Sequence, residues 1–351
     1  MIRQPCKRAS RLIAMTATFT LAVFTARGAL AADRIKLAAG NQATGTITEI
    51  TPTKITVELG ATKRDHAVNE IDTVTFDGEP NELTQARFAI AAGRNDDALA
   101  LLAKIDAKAV KREAIAEDVA FYKASAAARQ ALAGNGSIAD AGRQLVGFEK
   151  SHKNSFHYFA ACELLGELLA AVNRADQAEA YFTKLAAAPW PEYKTKAALQ
   201  LGRALVSQKK YDAANARFDE VLSASGADPQ MPRLKLAASL GKAAAAAGAG
   251  QHEQAVKSIE EVIAKADAED QELYARAYNL LGNCYLAAGK KQDALLAFLH
   301  VDLLYPRFAE QHAEALANLA KLWGEVDKAD RAAQAQSLLK EKYPMSTWAQ
   351  K

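Results

Sequence analysis

The residues best suited to bind a metal or act as a base are six histidines, and they are spread along the chain. His152 and His157 are the closest pair, five residues apart, without a cysteine or second histidine at the ligand spacing of a zinc site. The H-E-x-x-H pattern of zinc peptidases does not occur. We therefore interpret the histidines as structural groups, at the surface or half buried; the other four are His66, His252, His300 and His312.

Other residue types that support catalysis are equally scattered. Residues 134–137, Gly-Asn-Gly-Ser, are rich in glycine, but they lack the lysine of a phosphate-binding loop, and no strand pattern precedes them. No G-x-S-x-G elbow occurs, and no cysteine has a histidine close by in sequence. Acid pairs such as Asp96-Asp97 fit solvated helix faces. The sequence thus indicates a protein that is not an enzyme and uses no cofactor or metal.

Residues 277–306 show which elements hold the chain together. They predict two helices joined by a turn at residues 288–291. Gly282 and Ala294 are small enough for the two backbones to approach closely, and Tyr285 and Phe298 fill the space beside them. Pro306 ends the second helix, because its ring and missing N–H cannot continue one.

The same pattern recurs along the chain. Gly166 and Gly202 are each followed after twelve residues by an alanine, Ala178 or Ala214, and then by a phenylalanine. Gly241 leads to Ala255 with two extra residues, Ala320 leads to Ala332 at the interval of twelve, and two weaker units cover 86–102 and 128–148. These units resemble the tetratricopeptide repeat (TPR), a helix–turn–helix of about 34 residues. The resemblance implies a mainly α fold, a solenoid of about seven helical hairpins over residues 81–345 with a short tail at 346–351.

In TPR proteins, the second, fifth, ninth and twelfth positions of each first helix line a concave surface that holds ligands. Carried over to this sequence, these positions give Lys196 and Arg203 in the fourth unit, Lys235 and Lys242 in the fifth, and Arg276, Asn279 and Asn283 in the sixth. The resemblance therefore implies a groove that binds an extended, acidic peptide segment, whereas the third unit offers Glu163 and Glu167. The alternative is that all these residues are ordinary solvated positions of amphipathic helices.

Residues 1–31 have the features of a secretory signal peptide. A basic start precedes an apolar run that ends near Phe24, and Ala29-Leu30-Ala31 provides the small residues of a cleavage site. The alternative is an uncleaved anchor, but the run is shorter than the ~20 residues that span a bilayer. Removal of the segment takes away five positive charges and no acid, so the net charge changes from +3 to −2. This near-neutral chain is not expected to bind nucleic acid.

Residues 33–77 differ from the rest of the chain, because apolar and polar residues alternate as in strands, for example from Ile55 to Leu59. Four or five short strands resemble a small SH3-like or Sm-like barrel, which either caps the first repeat or binds a ligand.

Cys162 and Cys284 lie three repeats apart, too far for a disulfide, and are predicted to be buried thiols.

The combined features predict an exported protein, periplasmic or extracellular, that acts as a non-enzymatic scaffold or adaptor of the bacterial cell envelope. Its partners would be proteins or peptides held on the concave TPR surface. Association with a membrane, without spanning it, stays open. The alternative is a protein that binds the cell wall or an anionic glycan through the β domain and a basic groove.

Overall fold

The computed structural model describes residues 32–106, 108–225 and 230–350. The predicted signal peptide lies outside these residues, so its cleavage stays a prediction. Ala32–Lys351 form one compact unit, in which strands come first and helices follow.

The N-terminal part is a five-stranded antiparallel sheet, as the alternating pattern predicts. Its strands are β1 (Asp33–Leu37), β2 (Gln42–Ile50), β3 (Lys54–Leu59), β4 (Thr62–Ala67) and β5 (Ile71–Thr75). They lie in the order β4-β3-β2-β1-β5, because a 3₁₀ turn at Val68–Glu70 carries the chain from β4 back to the far side of β1. Ile35 pairs with Val74 and Ile47 with Val57, and all four side chains are buried.

The described residues after the sheet form fourteen helices, paired as seven hairpins. The first helices are α1 (Asn81–Ala91), α3 (Glu113–Leu132), α5 (Tyr158–Ala171), α7 (Pro191–Ser207), α9 (Met231–Gly248), α11 (Gln271–Ala287) and α13 (Ala309–Glu325). The second helices are α2 (Asn95–Ala103), α4 (Ile138–Ser151), α6 (Ala175–Ala186), α8 (Tyr211–Ser223), α10 (His252–Lys265), α12 (Lys291–Leu304) and α14 (Ala329–Lys342). The predicted solenoid of about seven repeats is therefore confirmed.

Close approach between the two helices of a hairpin explains the glycines in the repeated pattern. A Cβ atom added at Gly282 would lie 2.7 Å from the ring of Phe298, and one at Gly202 would lie 2.5 Å from the ring of Phe218. A Cβ contact below 3.0 Å forces a neighbouring atom to shift, so each phenylalanine occupies the space that a larger residue would need. Ala294, which the sequence placed at this crossing, is completely buried.

Each hairpin turn contains one residue in the left-handed backbone region, where glycine is favoured. Four turns use glycine for this purpose: Gly93, Gly134, Gly250 and Gly289. The other three use Asn173, Lys209 and Asp327, with φ near +60°. Of these, Lys209 is least suited to the conformation. Its Cβ atom clashes with the backbone there, and lysine lacks the short polar group with which asparagine and aspartate can hydrogen-bond to the nearby backbone.

The sheet is held against the first two hairpins by one apolar cluster and one buried carboxylate. Val74 and Phe76 share the cluster with Leu83 of α1 and Ile115 of α3. Asp33, only 2% exposed, accepts backbone N–H bonds from Ile47 and Asp77 at 2.7 and 2.8 Å. Arg112, just before α3, donates to both oxygens of Asp33 at 2.6 and 2.8 Å. The sheet therefore covers apolar residues at the start of the helices, as a cap does.

A buried polar network continues this joint. The Arg87 guanidinium donates to Glu79 at 2.6 and 2.9 Å and also pairs with Asp118, whose other oxygen lies 2.6 Å from His157 Nε2. Both carboxylates raise the pKa of Arg87 although burial opposes this. His157 is buried, as are His66 and His312. The expectation of surface or half-buried histidines is thus wrong for these three, because polar partners in the core allow His157 and His312 to be buried.

The C-terminal tail contacts an early part of the chain. The Met345 N–H donates to the carbonyl oxygen of Gly134, in the turn of the second hairpin, at 2.9 Å. Residues 344–350 form turns, and Trp348 packs beside the apolar cluster of hairpins 6 and 7. Cys162 and Cys284 are buried and free, as predicted.

Candidate ligand-binding groove

The first helices of hairpins 3 to 7 enclose two adjoining pockets, which we call the first-helix groove. One pocket, of about 220 Å³, lies among α5, α7, α9 and α11, and the other, of about 270 Å³, lies among α7, α9, α11 and α13. Arg203 and Arg276 line both pockets and mark the place where they meet. Apolar side chains complete the wall of the first pocket: Leu199, Leu234, Ala237 and Leu273.

The structure brings together three of the five predicted cations. Lys196 and Arg203 are seven residues apart on α7, so two helical turns place them on one face. Both line the first pocket together with Arg276, which comes from α11 two hairpins later. The Nζ atom of Lys196 lies 5.8 Å above the ring of Tyr193. The predicted surface thus exists at these three positions; whether they bind a ligand stays a prediction.

Asn279 and Asn283 line the second pocket, but their amides already have partners. Asn279 is 2% exposed, and its Nδ2 donates to the Gln311 carbonyl at 2.8 Å and to Glu314 at 3.2 Å. Asn283 Nδ2 donates to the other oxygen of Glu314 at 2.9 Å. In the structure, both amides therefore join α11 to α13. Their amide nitrogens are therefore engaged within the solenoid, whereas Asn279 Oδ1 has no hydrogen-bond partner among the described residues, and pairing with a peptide backbone stays a prediction.

The assignment of Lys235 and Lys242 to the groove is wrong. Lys242 pairs with Asp219 of α8 at 2.6 Å and, with Ser239, lines a separate pocket among α8, α9 and α10. Lys235 lines neither pocket of the groove. The physical reason is the two extra residues before Ala255: counting back twelve from this alanine leads to Ala243, not to Gly241.

Gly241 accordingly faces the preceding hairpin. A Cβ atom there would lie 2.4 Å from the ring of Phe218, which belongs to α8. The helix α9 instead turns small and apolar residues toward the groove: Leu234, Ala237, Leu240 and Ala244. Alignment on the buried alanine of the second helix would have predicted this orientation.

Arg233 and Glu272 are groove residues that the sequence reasoning missed. Arg233 lies one turn before Ala237 on the same face of α9, and its guanidinium donates to Glu272 of α11 at 3.2 Å. Glu272 also accepts from Arg276 at 3.1 Å. In the corrected alignment both residues lie four positions before the second position, which is Ala237 in the fifth unit and Arg276 in the sixth, so the TPR pattern marks neither of them.

The groove contains charges of both signs and is not basic as predicted. Four cations line its two pockets: Lys196, Arg203, Arg233 and Arg276. Six acids line them as well: Glu163, Glu167, Asp270, Glu272, Glu310 and Glu314. This composition gives no general attraction for anions, so selectivity must come from where each charge lies.

Two groups in the groove have strongly perturbed acidity. Burial, with the nearby Glu163 carboxylate as the next cause, raises the pKa of Glu167 to about 7. Burial, followed by the neighbouring Arg276, lowers the pKa of Arg203 to about 10. Among the described residues, Arg276 has salt bridges to Glu272 and Glu310, but Arg203 has none. Perturbed groups lining a pocket mark a candidate binding site.

Two features are absent from the described part of the chain. No group of three or more His, Cys, Asp or Glu side chains is arranged there to hold a metal ion. The described helices include none with the length and apolar character needed to cross a membrane.

Comparison with solved structures bears on the fold. A tetratricopeptide repeat protein from Parabacteroides merdae superposes with a TM-score of 0.51 at 14% identity, covering 77% of this chain and 96% of that one. The chain has a TPR-like solenoid fold. A Rap protein complexed with competence and sporulation factor superposes with a TM-score of 0.53 at 14% identity, covering 76% of each chain. At this identity the likeness concerns the fold alone. No family model matches the sequence, and no curated protein matches it.

Proposed function

We propose that the protein is a non-enzymatic scaffold or adaptor that holds peptide or protein partners in the first-helix groove. The observation that carries this proposal is Arg203. It is half buried beside a second arginine, lines both pockets, and has no salt bridge among the described residues. A cation in this position gains more from an incoming ligand than one that is already paired.

The groove also has the form that an extended peptide requires. It runs along successive first helices, its wall is partly apolar, and polar side chains from several hairpins face it. The Rap protein of similar fold was solved with a bound factor, which is consistent with a binding role for a solenoid of this kind. Several modest contacts along such a groove together provide affinity and specificity.

The cellular setting that we propose is the bacterial cell envelope. The signal-peptide features of residues 1–31 support export with cleavage after Ala31, to the periplasm or the exterior. Detection of Met1 on the exported protein would contradict cleavage. The five strands and the 3₁₀ turn before β5 support an SH3-like or Sm-like β domain, and its packing on hairpins 1 and 2 favours a capping role.

The decisive experiment is to purify the tagged protein from its own envelope and identify co-purifying proteins by mass spectrometry. A double variant, Arg203→Gln with Arg276→Gln, should lose the partners that the wild-type protein retains. The matched control, Lys150→Gln with Lys153→Gln, changes two exposed lysines outside the groove and should retain them. Circular dichroism should show equal helicity in all three proteins. Equal capture by both double variants would refute the groove as the binding site.

The alternative function, binding of an anionic glycan, is less well supported. A polyanion would meet six acids along the groove, and like charges that face each other at an interface cost free energy. Retention of the wild-type protein on purified cell-wall polymer, competed by charged sugars, would favour this alternative.

A further inference from the structure

Two pairs of like charges face the same pocket of the first-helix groove. Glu163 and Glu167 lie four residues apart on α5, which places both carboxylates on one helix face. Arg203 of α7 and Arg276 of α11 form the opposing pair. Each pair is destabilised by its own like charges, since a carboxylate beside a carboxylate and a guanidinium beside a guanidinium repel each other.

Gln200 lies between the two pairs and indicates how far apart they are. Its amide nitrogen donates to Glu167 Oε1 at 3.1 Å, and its amide oxygen accepts from Arg203 at 3.4 Å. One amide group and two hydrogen bonds therefore connect the acidic and the basic side of the pocket. This connection limits the separation of these charges to roughly 9 Å.

We propose that the groove, if it is the binding site proposed above, selects a peptide segment that carries a basic and an acidic side chain close together. The ligand's cation lies beside Glu163 and Glu167, and its anion lies beside Arg203 and Arg276. In an extended chain, side chains two residues apart point to the same side and are separated by about 7 Å. The preferred segment therefore has opposite charges at positions i and i+2.

The pocket disfavours ligands with charge of one sign only. An acidic segment would satisfy Arg203 but would place its remaining charges near Glu163 and Glu167. A basic segment would meet the two arginines in the same way. A segment with both charges relieves the repulsion within each pair, and the raised pKa of Glu167 and the lowered pKa of Arg203 show that this repulsion adds to the cost of burial.

A phage-displayed library of random peptides, about ten residues long to span several hairpins in an extended form, tests this inference with the mature protein. The wild-type groove should enrich peptides with opposite charges at i and i+2. A variant with Glu163→Gln and Glu167→Gln should bind these peptides about tenfold more weakly and should select acidic peptides instead. Lys242→Gln, which changes a cation of the separate pocket among α8, α9 and α10, should leave the affinity within about twofold.

The outcomes separate this inference from the proposed function. Enrichment of acidic peptides without a basic residue by the wild-type protein would overturn the inference and leave the groove as a peptide site. If no enriched peptide binds less tightly to the Arg203→Gln, Arg276→Gln variant, the groove is not the peptide site, and both proposals fail.

Discussion

Substitution of Asp33 by asparagine tests how the sheet is attached to the helices. Asp33 accepts four hydrogen bonds, two from backbone amides and two from Arg112. Asparagine has one acceptor oxygen, so its amide nitrogen must face N–H donors that previously met a carboxylate. The substitution also leaves the Arg112 charge without its partner.

The expected cost is about 3 kcal/mol. Two of the four donors lose their acceptor, and each unsatisfied buried donor costs about 1–3 kcal/mol. Breaking a buried ion pair by removing one charge costs about 3–5 kcal/mol, and Arg112, with a third of its side chain exposed, keeps part of its solvation and reduces this figure. A loss of about 3 kcal/mol corresponds to more than about a hundredfold change in an opening equilibrium.

Amide hydrogen exchange, followed by mass spectrometry, measures this opening in the intact protein. Strands β1, β2 and β5 should exchange more than about a hundredfold faster in the variant at neutral pH. Amides of α13 and α14 serve as the internal control, because each unit of a solenoid depends mainly on its neighbours. Unchanged exchange in the strands would show that the Asp33–Arg112 pair does not hold the sheet in place.

The same carboxylate predicts a dependence on pH. Burial of Asp33 raises its pKa, but hydrogen bonds from Arg112 and two backbone amides outweigh burial and keep the pKa below its ordinary value. A lowered folded-state pKa contributes stability that is complete above the unfolded value of about 3.9 and disappears as pH falls through the folded value. The difference between wild type and variant should therefore shrink below about pH 4.

Three further predictions concern turns and crossings. Lys209→Gly should raise stability by about 1 kcal/mol, seen as a higher urea midpoint, because φ is +62° at this position. Gly202→Ala should cost roughly 1–3 kcal/mol, since its Cβ would press on Phe218, whereas Gly142→Ala, with open space around its Cβ, should gain about 1 kcal/mol; equal urea midpoints would contradict the crossing. Met345→Pro removes the N–H bound to Gly134 and should speed amide exchange in the turn of the second hairpin about fivefold; unchanged exchange there would show that the tail adds no stability.

The fold could be predicted from the sequence because the residue patterns that identify its helices and strands are local. Ala214 and Phe218 lie on one face of a helix, and the interval of twelve from Gly202 records a contact within one hairpin. Such contacts depend on side-chain volume alone, so small and large residues at fixed spacing identify them. The strand alternation around Ile55 is equally local, and it predicted the sheet.

Only part of the groove could be predicted from the sequence, because the side chains that line it depend on how each helix is rotated about its own axis. The two additional residues lie within α9, between Gly241 and the turn, so the position equivalent to Gly202 is Ala243, and Lys235 and Lys242 lie outside the groove. The sequence also listed cations without their neighbours. Glu314, which accepts from Asn283, stands at the second position of the seventh unit, where an acid and not a cation faces the groove, whereas Glu272, which accepts from Arg276, precedes the positions that the TPR pattern marks.

The contact between the tail and the second hairpin reflects the same curvature that brings distant hairpins to one pocket. Met345, which binds Gly134, follows Tyr343 by two residues. Tyr343 is buried, and its hydroxyl is hydrogen-bonded to His312 at 2.7 Å and to the Pro306 carbonyl at 3.3 Å. The seventh hairpin thus returns to the second. Because of the same curvature, Arg276 of the sixth hairpin lies close enough to interact electrostatically with Glu167 of the third.

Curvature of this kind accumulates from small rotations between successive repeats, and no single repeat encodes it. Glu167 and Arg276 are separated by more than a hundred residues in sequence, and the stacking of the hairpins between them places both at one pocket. The pairing of acidic and basic groups in the groove is therefore a property of the whole stack. A change that opens the stack, such as loss of the tail contact, should alter the groove even though it leaves every groove residue in place.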